Sequence, residues 1–229
     1  VDNFMKHKLN DVPKRMLRLG LAALSHANTH ANFISFENDM WAELSVLQVA
    51  HAMEILIKAR IAQEHPLLIF DSLPKSSQVD HLHYESLLNK AKTVQYSDLP
   101  DHLWATTGMT IENVNLYKTF GQLRNSIQHF AYPESKDCSQ LSIQYIYEII
   151  DPFICQCWGL YAVDYYEDSE PTFLLEALIA REIKFLIPQE VIGRYLDENS
   201  FSKSSDGYKQ EMIKRLNVSK KYVHNVSIF

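Results

Sequence analysis

From Trp41 to His65 the chain runs without a proline or a glycine, and Pro66 stops it. Read as a helix, this stretch carries Trp41, Leu44, Leu47, Met53, Ile55, Leu56, Ile57 and Ile61. These are too many for one apolar stripe, and a helix without a continuous polar face has to be covered on more than one side. Ser35 or Asn38 is placed to cap its start. A chain containing such an element must supply other helices to enclose it.

The rest of the sequence reads as those helices. Asp11 is a plausible N-cap for a helix to about Asn32, with Pro13 in its first turn. Residues 77–93 form a shorter amphipathic pattern with Leu82, Leu87 and Leu88. Thr110 is placed to cap a helix from Ile111 to Phe130 whose apolar face is Ile111, Val114, Tyr117, Phe120, Ile127 and Phe130, with Pro133 beyond it. Its expected place is antiparallel to the Trp41–His65 helix in the core. Residues 140–166 form a long helical run that Pro152 should kink or split. Helices are expected over 172–187 and 206–217, and the Ser-rich stretch 198–206 reads as a linker. Only 222–229 has a β-like pattern. With 6 glycines and 8 prolines in 229 residues, the turns that an all-β fold needs are scarce. The fold class expected is all-α, with a helical bundle over 1–169 (core 36–165) and a helical extension over 170–229.

No window approaches the roughly 18 uninterrupted apolar residues of a membrane span, and the start lacks an apolar signal core. Three cysteines, Cys138, Cys155 and Cys157, suit a reducing compartment. A cytoplasmic protein without membrane attachment is therefore expected. The net charge of −6 excludes a globally basic nucleic-acid binder. Its distribution is uneven: +3 over 1–20, +4 over 201–229 and −13 between them. The basic ends read either as a phosphate-facing rim or as two solvated helix surfaces.

Several chemistries are missing. The sequence has no glycine-rich phosphate loop and no Gly-x-Ser-x-Gly elbow. Cys155 and Cys157 do not share a helix face and lack the spacing of structural zinc ligands. His26 and His30 have a metal-capable i, i+4 spacing but no intervening glutamate, and His81-x-His83 reads as a solvated loop. No metal and no cofactor are expected.

Two segments remain. The first is Gln122-Leu-Arg124-Asn125-Ser-Ile-Gln-His129, late in a helix. Asn125 and His129 share a face, while Arg124 and His129 lie about 140° apart around the axis. An arginine offers a donor fork for a phosphate, and a histidine exchanges protons near neutrality. Together they suffice to cleave RNA without a metal, although a surface arginine and a helix-end histidine also meet by chance. The second is the line His51, Glu54 and Lys58 on the apolar helix. Glu54 and Lys58 can satisfy each other, or Glu54 can orient Arg124 or His129 from the neighbouring helix.

An apolar helix with a Glu/Lys line, followed about seventy residues later by a helix ending Arg-Asn-x-x-x-His, resembles the HEPN superfamily. The resemblance covers roughly residues 36–165 and rests on Arg124, Asn125 and His129, with Glu54 at the acidic position of the earlier helix. It implies a compact helical bundle and a metal-independent endoribonuclease acting as a homodimer with a composite cleft. It gives His129 proton transfer, Arg124 the scissile phosphate and Asn125 the orientation of the pair. Lys58 and His51 are the candidate RNA contacts. The setting it implies is a toxin–antitoxin or antiviral defence system, with control by an antitoxin or a defence-complex protein. Two other functional classes stay open: a noncatalytic helical module binding nucleotide, RNA or a protein, and an assembly subunit of a larger complex.

Overall fold

A computed structural model describes residues 8–75, 87, 91–129, 137–168 and 170–222. The chain is mostly helical, in agreement with the sequence reading. Helix α1 (Val12–Asn32) and helix α2 (Trp41–Glu64) are joined by the short segment 33–40 and pack along each other as a hairpin. The α1–α2 contact is the most extensive in the molecule, so α1 rather than the 114–128 helix is the principal partner of α2. Their close approach depends on Gly20, where a Cβ would meet the Leu56 side chain at 2.8 Å.

Helix α2 is enclosed as its sequence requires. Val46, Val49, Ala52, Met53, Leu56, Ile57, Ala59 and Ile61 are all completely buried and span about 200° around the axis, and Ile55, Lys58 and Ala62 are buried on the remaining side. Besides α1, α2 touches helix α3 (Leu99–Thr107), helix α4 (Val114–Gln128) and helix α5 (Cys138–Tyr145). Neither Ser35 nor Asn38 caps it. Ser35 accepts from the Glu37 N–H and Asn38 from the Met40 N–H, inside the connecting turn, and the helix starts at Trp41.

Helix α4 begins later than Thr110 suggests because Asn113 takes the cap, its side-chain oxygen accepting the Leu116 N–H at 3.1 Å. Phe130 and Pro133 lie outside the described residues. Helix α5 is capped by Asp137, which accepts the Gln140 N–H at 2.9 Å. The helical path continues through a π-turn, Ile146–Ile150, into helix α6 (Asp151–Trp158). Here the effect of Pro152 becomes visible. A proline has no N–H for the i−4 carbonyl and crowds it, and the turn before it widens so that the Asp151 N–H reaches Ile146 O. The helix then ends at Gly159, which takes φ 67°, instead of reaching residue 166.

A small antiparallel pair joins β1 (Phe70–Ser72) to β2 (Lys92–Thr93), the latter at the end of the stretch 77–93 expected to be helical, in which Leu87 is helical. It contributes no core layer. Residues 76–86, 88–90 and the β-like stretch from 223 onward lie outside the described residues.

Helix α7 (Thr172–Ala180) is shorter than expected. Glu182 enters the left-handed region at φ 53° and turns the chain away. Its carboxylate accepts both the Ser205 N–H (2.6 Å) and the Ser205 hydroxyl (2.7 Å). The stretch 198–206 is an anchor, not a linker. Asp197 caps a 3-10 turn over Glu198–Phe201, and the Phe201 ring is fully buried. Small polar residues suggest a flexible spacer by composition, but here they cap a turn that inserts an aromatic ring. Helix α8 (Asp206–Tyr222) follows. Leu174, Leu178, Phe185, Phe201, Met212 and Leu216 belong to the same contiguous core as α2.

One buried carboxylate ties α6 to this C-terminal region. Asp151 is fully buried and accepts the Ala162 N–H on one oxygen and the Leu186 N–H on the other, both at 2.8 Å. Burial outweighs these two donors and pushes its acidity constant up to about 7. A carboxyl group raised in the folded state contributes stability that is complete below about pH 4 and is lost as pH rises through 7. Asp151→Asn should cost about 1–3 kcal/mol, because an amide NH2 then faces a backbone N–H. Thermal unfolding at pH 5 and pH 8 should show the gap between wild type and variant to be wider at pH 5.

Candidate functional site

The Arg124–His129 segment forms the C-terminal end of α4, and an aromatic cluster holds that helix in place. The Tyr96 ring stacks on Tyr117 at 4.3 Å between centroids, nearly parallel. The Tyr96 and Tyr145 hydroxyls lie 2.7 Å apart, and the Tyr117 hydroxyl donates to Tyr96 O at 2.7 Å. Phe120 stacks on Tyr145 at 4.1 Å. Gly121 makes the seat possible, since a Cβ there would come within 2.5 Å of the Tyr96 ring. Burial pushes all three phenols above their ordinary range, so they remain neutral at any physiological pH.

Arg124 is half-buried beside this cluster, and its Nη1 donates to Asn125 Oδ1 at 3.3 Å. Asn125 is exposed. His129 is the C-cap residue of α4, its ring exposed and without a hydrogen-bond partner among the described residues. Its backbone N–H donates to Asn125 O at 3.1 Å. These three residues thus lie at the C-terminal end of one helix, Asn125 and His129 exposed and Arg124 half-buried.

The polar line on α2 separates into three environments. His51 is exposed, Glu54 is half-buried and Lys58 is buried. Lys58 Nζ donates to Glu54 Oε1 at 2.6 Å and to Thr93 Oγ1 at 3.2 Å. Glu54 and Lys58 therefore satisfy each other. Among the described residues no hydrogen bond or ion pair joins Glu54 to Arg124 or His129. The two ends of the arrangement still share surroundings: the negative charge of Glu54 and the positive charge of Arg124 act in opposite senses on both Tyr96 and Tyr117. Thr93 and Tyr96 escaped the sequence reading. They belong to a segment expected to be helix or polar loop, and nothing local ties them to partners 21 or more positions away.

No family model, no curated protein and no solved structure matches this chain.

The other sequence candidates have structural surroundings. His26 Nε2 lies 3.0 Å from Glu167 Oε1, and the His30 ring is buried against Trp41 at 3.7 Å between centroids. Burial, with His26 nearby, holds His30 below the ordinary imidazole range. None of the three cysteines forms a disulfide, and burial pushes the Cys157 thiol up to about 12. Among the described residues no group of three or more His, Cys, Asp or Glu is arranged to hold a metal ion. Nor is any helix among them long and apolar enough to cross a membrane. His81 and His83 lie outside the described residues.

Two substitutions test this description. Gly121→Ala should displace Tyr96 and destabilise the protein by about 1–3 kcal/mol, the range for overpacking a well-filled core, with altered near-UV circular dichroism. Glu54→Ala leaves a buried ammonium with only Thr93 and should cost about 3–5 kcal/mol in urea unfolding. The double variant Glu54→Ala/Lys58→Met should recover much of that loss.

Proposed function

We propose that this protein is a metal-independent endoribonuclease of HEPN type, an effector of a toxin–antitoxin or antiviral defence system. The observation that supports the reading is that half-buried Arg124 and exposed Asn125 and His129 lie close together in sequence at the C-terminal end of α4, with Arg124 bonded to Asn125. That helix is seated on a rigid aromatic cluster, and a site on a stiff element holds its geometry better than a site on a loop.

In this reading the substrate is RNA and the nucleophile is its own 2′-hydroxyl. His129 takes the proton as the 2′-oxygen attacks phosphorus, and the 5′-oxygen leaves with a proton from a second acid. The products are a 2′,3′-cyclic phosphate and a 5′-hydroxyl. Arg124 holds the nonbridging oxygens as charge builds on them. Asn125 already accepts from Arg124 and fixes the direction of the guanidinium. One histidine cannot stand on both sides of the phosphorus, so the second set comes from a homodimer partner across a two-fold axis. Glu54 and Lys58 support the site from α2 through the Tyr96 and Tyr117 stack, and His51 extends the RNA-facing surface.

One observation favours a second reading, a noncatalytic helical module that binds RNA, nucleotide or a partner protein. Lys58 takes up Glu54, as a purely structural pair would.

Purified protein should cleave RNA in the presence of a chelator, leave DNA of the same sequence intact and produce cyclic phosphate ends. His129→Ala and Arg124→Ala should each lower the rate by about 100-fold or more, with unchanged unfolding midpoints. Mixing the two variants should restore part of the activity if the site is composite. RNA that stays intact with wild-type protein, or equal cleavage by His129→Ala, rejects the nuclease reading.

A further inference from the structure

At the N-terminal end of α4, about 22 Å along its axis from His129 by the helical rise, lies a second feature. It is a cleft of about 880 Å³ between the start of α4, the α5–π-turn helix, the 181–186 segment and α8. Its volume is in the range of small-molecule sites, about 300–1,000 Å³. Its wall is largely polar, which disfavours an apolar ligand.

Three cations line it: Arg181, Lys184 and Arg215. Arg181 is held by neutral acceptors, with Nη1 donating to Asn32 Oδ1 at 3.1 Å and Nη2 to Asn32 O at 3.3 Å. Asn32 is fixed in turn. Its Nδ2 donates to Asn28 O (3.0 Å) and Oδ1 (2.9 Å), and the Tyr147 hydroxyl donates to the same Oδ1 at 3.0 Å. Asn28 is fully buried and anchors to Ala162 O and Tyr165 O, both at 3.1 Å. A fully satisfied buried network rigidifies what it holds. This one ends in a guanidinium at the cleft that forms no ion pair among the described residues.

Lys184 makes no hydrogen bond or ion pair among the described residues. Arg215 donates Nε to Glu211 at 3.0 Å, and among the described residues its terminal nitrogens make no hydrogen bond. Three carboxylates share the cleft, but two of them are committed. Glu182 accepts from Ser205 on both oxygens, and Glu148 accepts from Gln144 and Asn113. Glu112 is exposed. The donors to Glu148 and Glu182 are neutral, so both keep their charge; the three cations are available because, among the described residues, none of the three carboxylates forms an ion pair with them.

The backbone around the cleft is also irregular. Glu182 holds a left-handed conformation that costs a non-glycine residue on the order of 1–3 kcal/mol. The π-turn that carries Tyr147 and Glu148 is of a kind that recurs at functional sites.

We propose that this cleft binds a small phosphorylated molecule, its phosphate held by Arg181, Lys184 and Arg215. The Gln140 and Gln144 amides on the facing wall meet the uncharged polar part of the ligand. The Arg124–His129 site plays no part in this binding, and the inference does not rest on the nuclease reading.

Titration calorimetry on the full chain at fixed ionic strength tests it, with inorganic pyrophosphate and AMP as probes and adenosine as the uncharged control. Pyrophosphate and AMP should bind with Kd below about 1 mM, and adenosine should not. Lys184→Gln changes an exposed side chain that bonds to nothing described, so folding is preserved, and it should weaken AMP by about tenfold. Arg181→Gln should do the same, with circular dichroism confirming its fold, while His129→Ala should leave AMP binding unchanged. Equal binding of AMP and adenosine, no binding of either probe, or wild-type affinity in both cleft variants overturns the proposal. So does a result in which an RNA oligonucleotide lacking terminal phosphates binds through Lys184 and the small probes do not.

Discussion

Burial of α2 on every side is the constraint from which the architecture follows. An isolated helix with apolar residues all round loses hydrophobic free energy wherever water reaches it, so several elements must each give it their one apolar stripe. The small residue Gly20 sets how closely α1 can approach. The same burial makes the one polar line on α2 demanding. A buried ammonium at Lys58 needs acceptors, and Glu54 and Thr93 supply them. The short β-pair is therefore coupled to the core through the Lys58–Thr93 bond as well as through Phe70, which packs against it.

Helix α4 transmits this order to the surface. Asn113 fixes its start, Gly121 admits Tyr96, and stacked rings prevent rotation about its axis. At its far end Ser126 bonds back to Gln122 O and Arg124 to Asn125, while the His129 ring has no hydrogen-bond partner among the described residues.

The C-terminal segment works differently. Asp151 accepts backbone N–H groups from two separate stretches, Glu182 clamps Ser205, and Phe201 inserts into the common core. These contacts bring Arg181, Lys184 and Arg215 to one cleft, although they belong to different elements. Irregular backbone at Glu182 and at the π-turn is concentrated there, opposite to the Arg124–His129 end of α4.

The helical class, the enclosed α2 and the disturbance at Pro152 were legible in the sequence, since periodicity and proline sterics act within a few residues. So was the grouping of Arg124, Asn125 and His129, because a helix places positions one and four apart on known bearings. Helix ends were less legible. Thr110 and Asn113 are both good caps, and the choice depended on where Ile111 could be buried. The composition of 198–206 suggested a linker because nothing local reveals that Phe201 has a pocket to fill. Whether Glu54 turned to Lys58 or to Arg124 was open in the sequence. It was decided by Thr93 and the tyrosine stack, which chain folding brings from 35 or more residues away. The cleft is likewise absent from any sequence pattern: Asn28, Asn32, Tyr147 and Arg181 form one network only because α1, the π-turn and the end of α7 meet in space. The sequence by itself determined the helices and the face each residue occupies, for those depend on neighbours within one turn. The tertiary structure alone decided which polar groups satisfy one another and which are left for a ligand, because that depends on packing between segments distant in the chain.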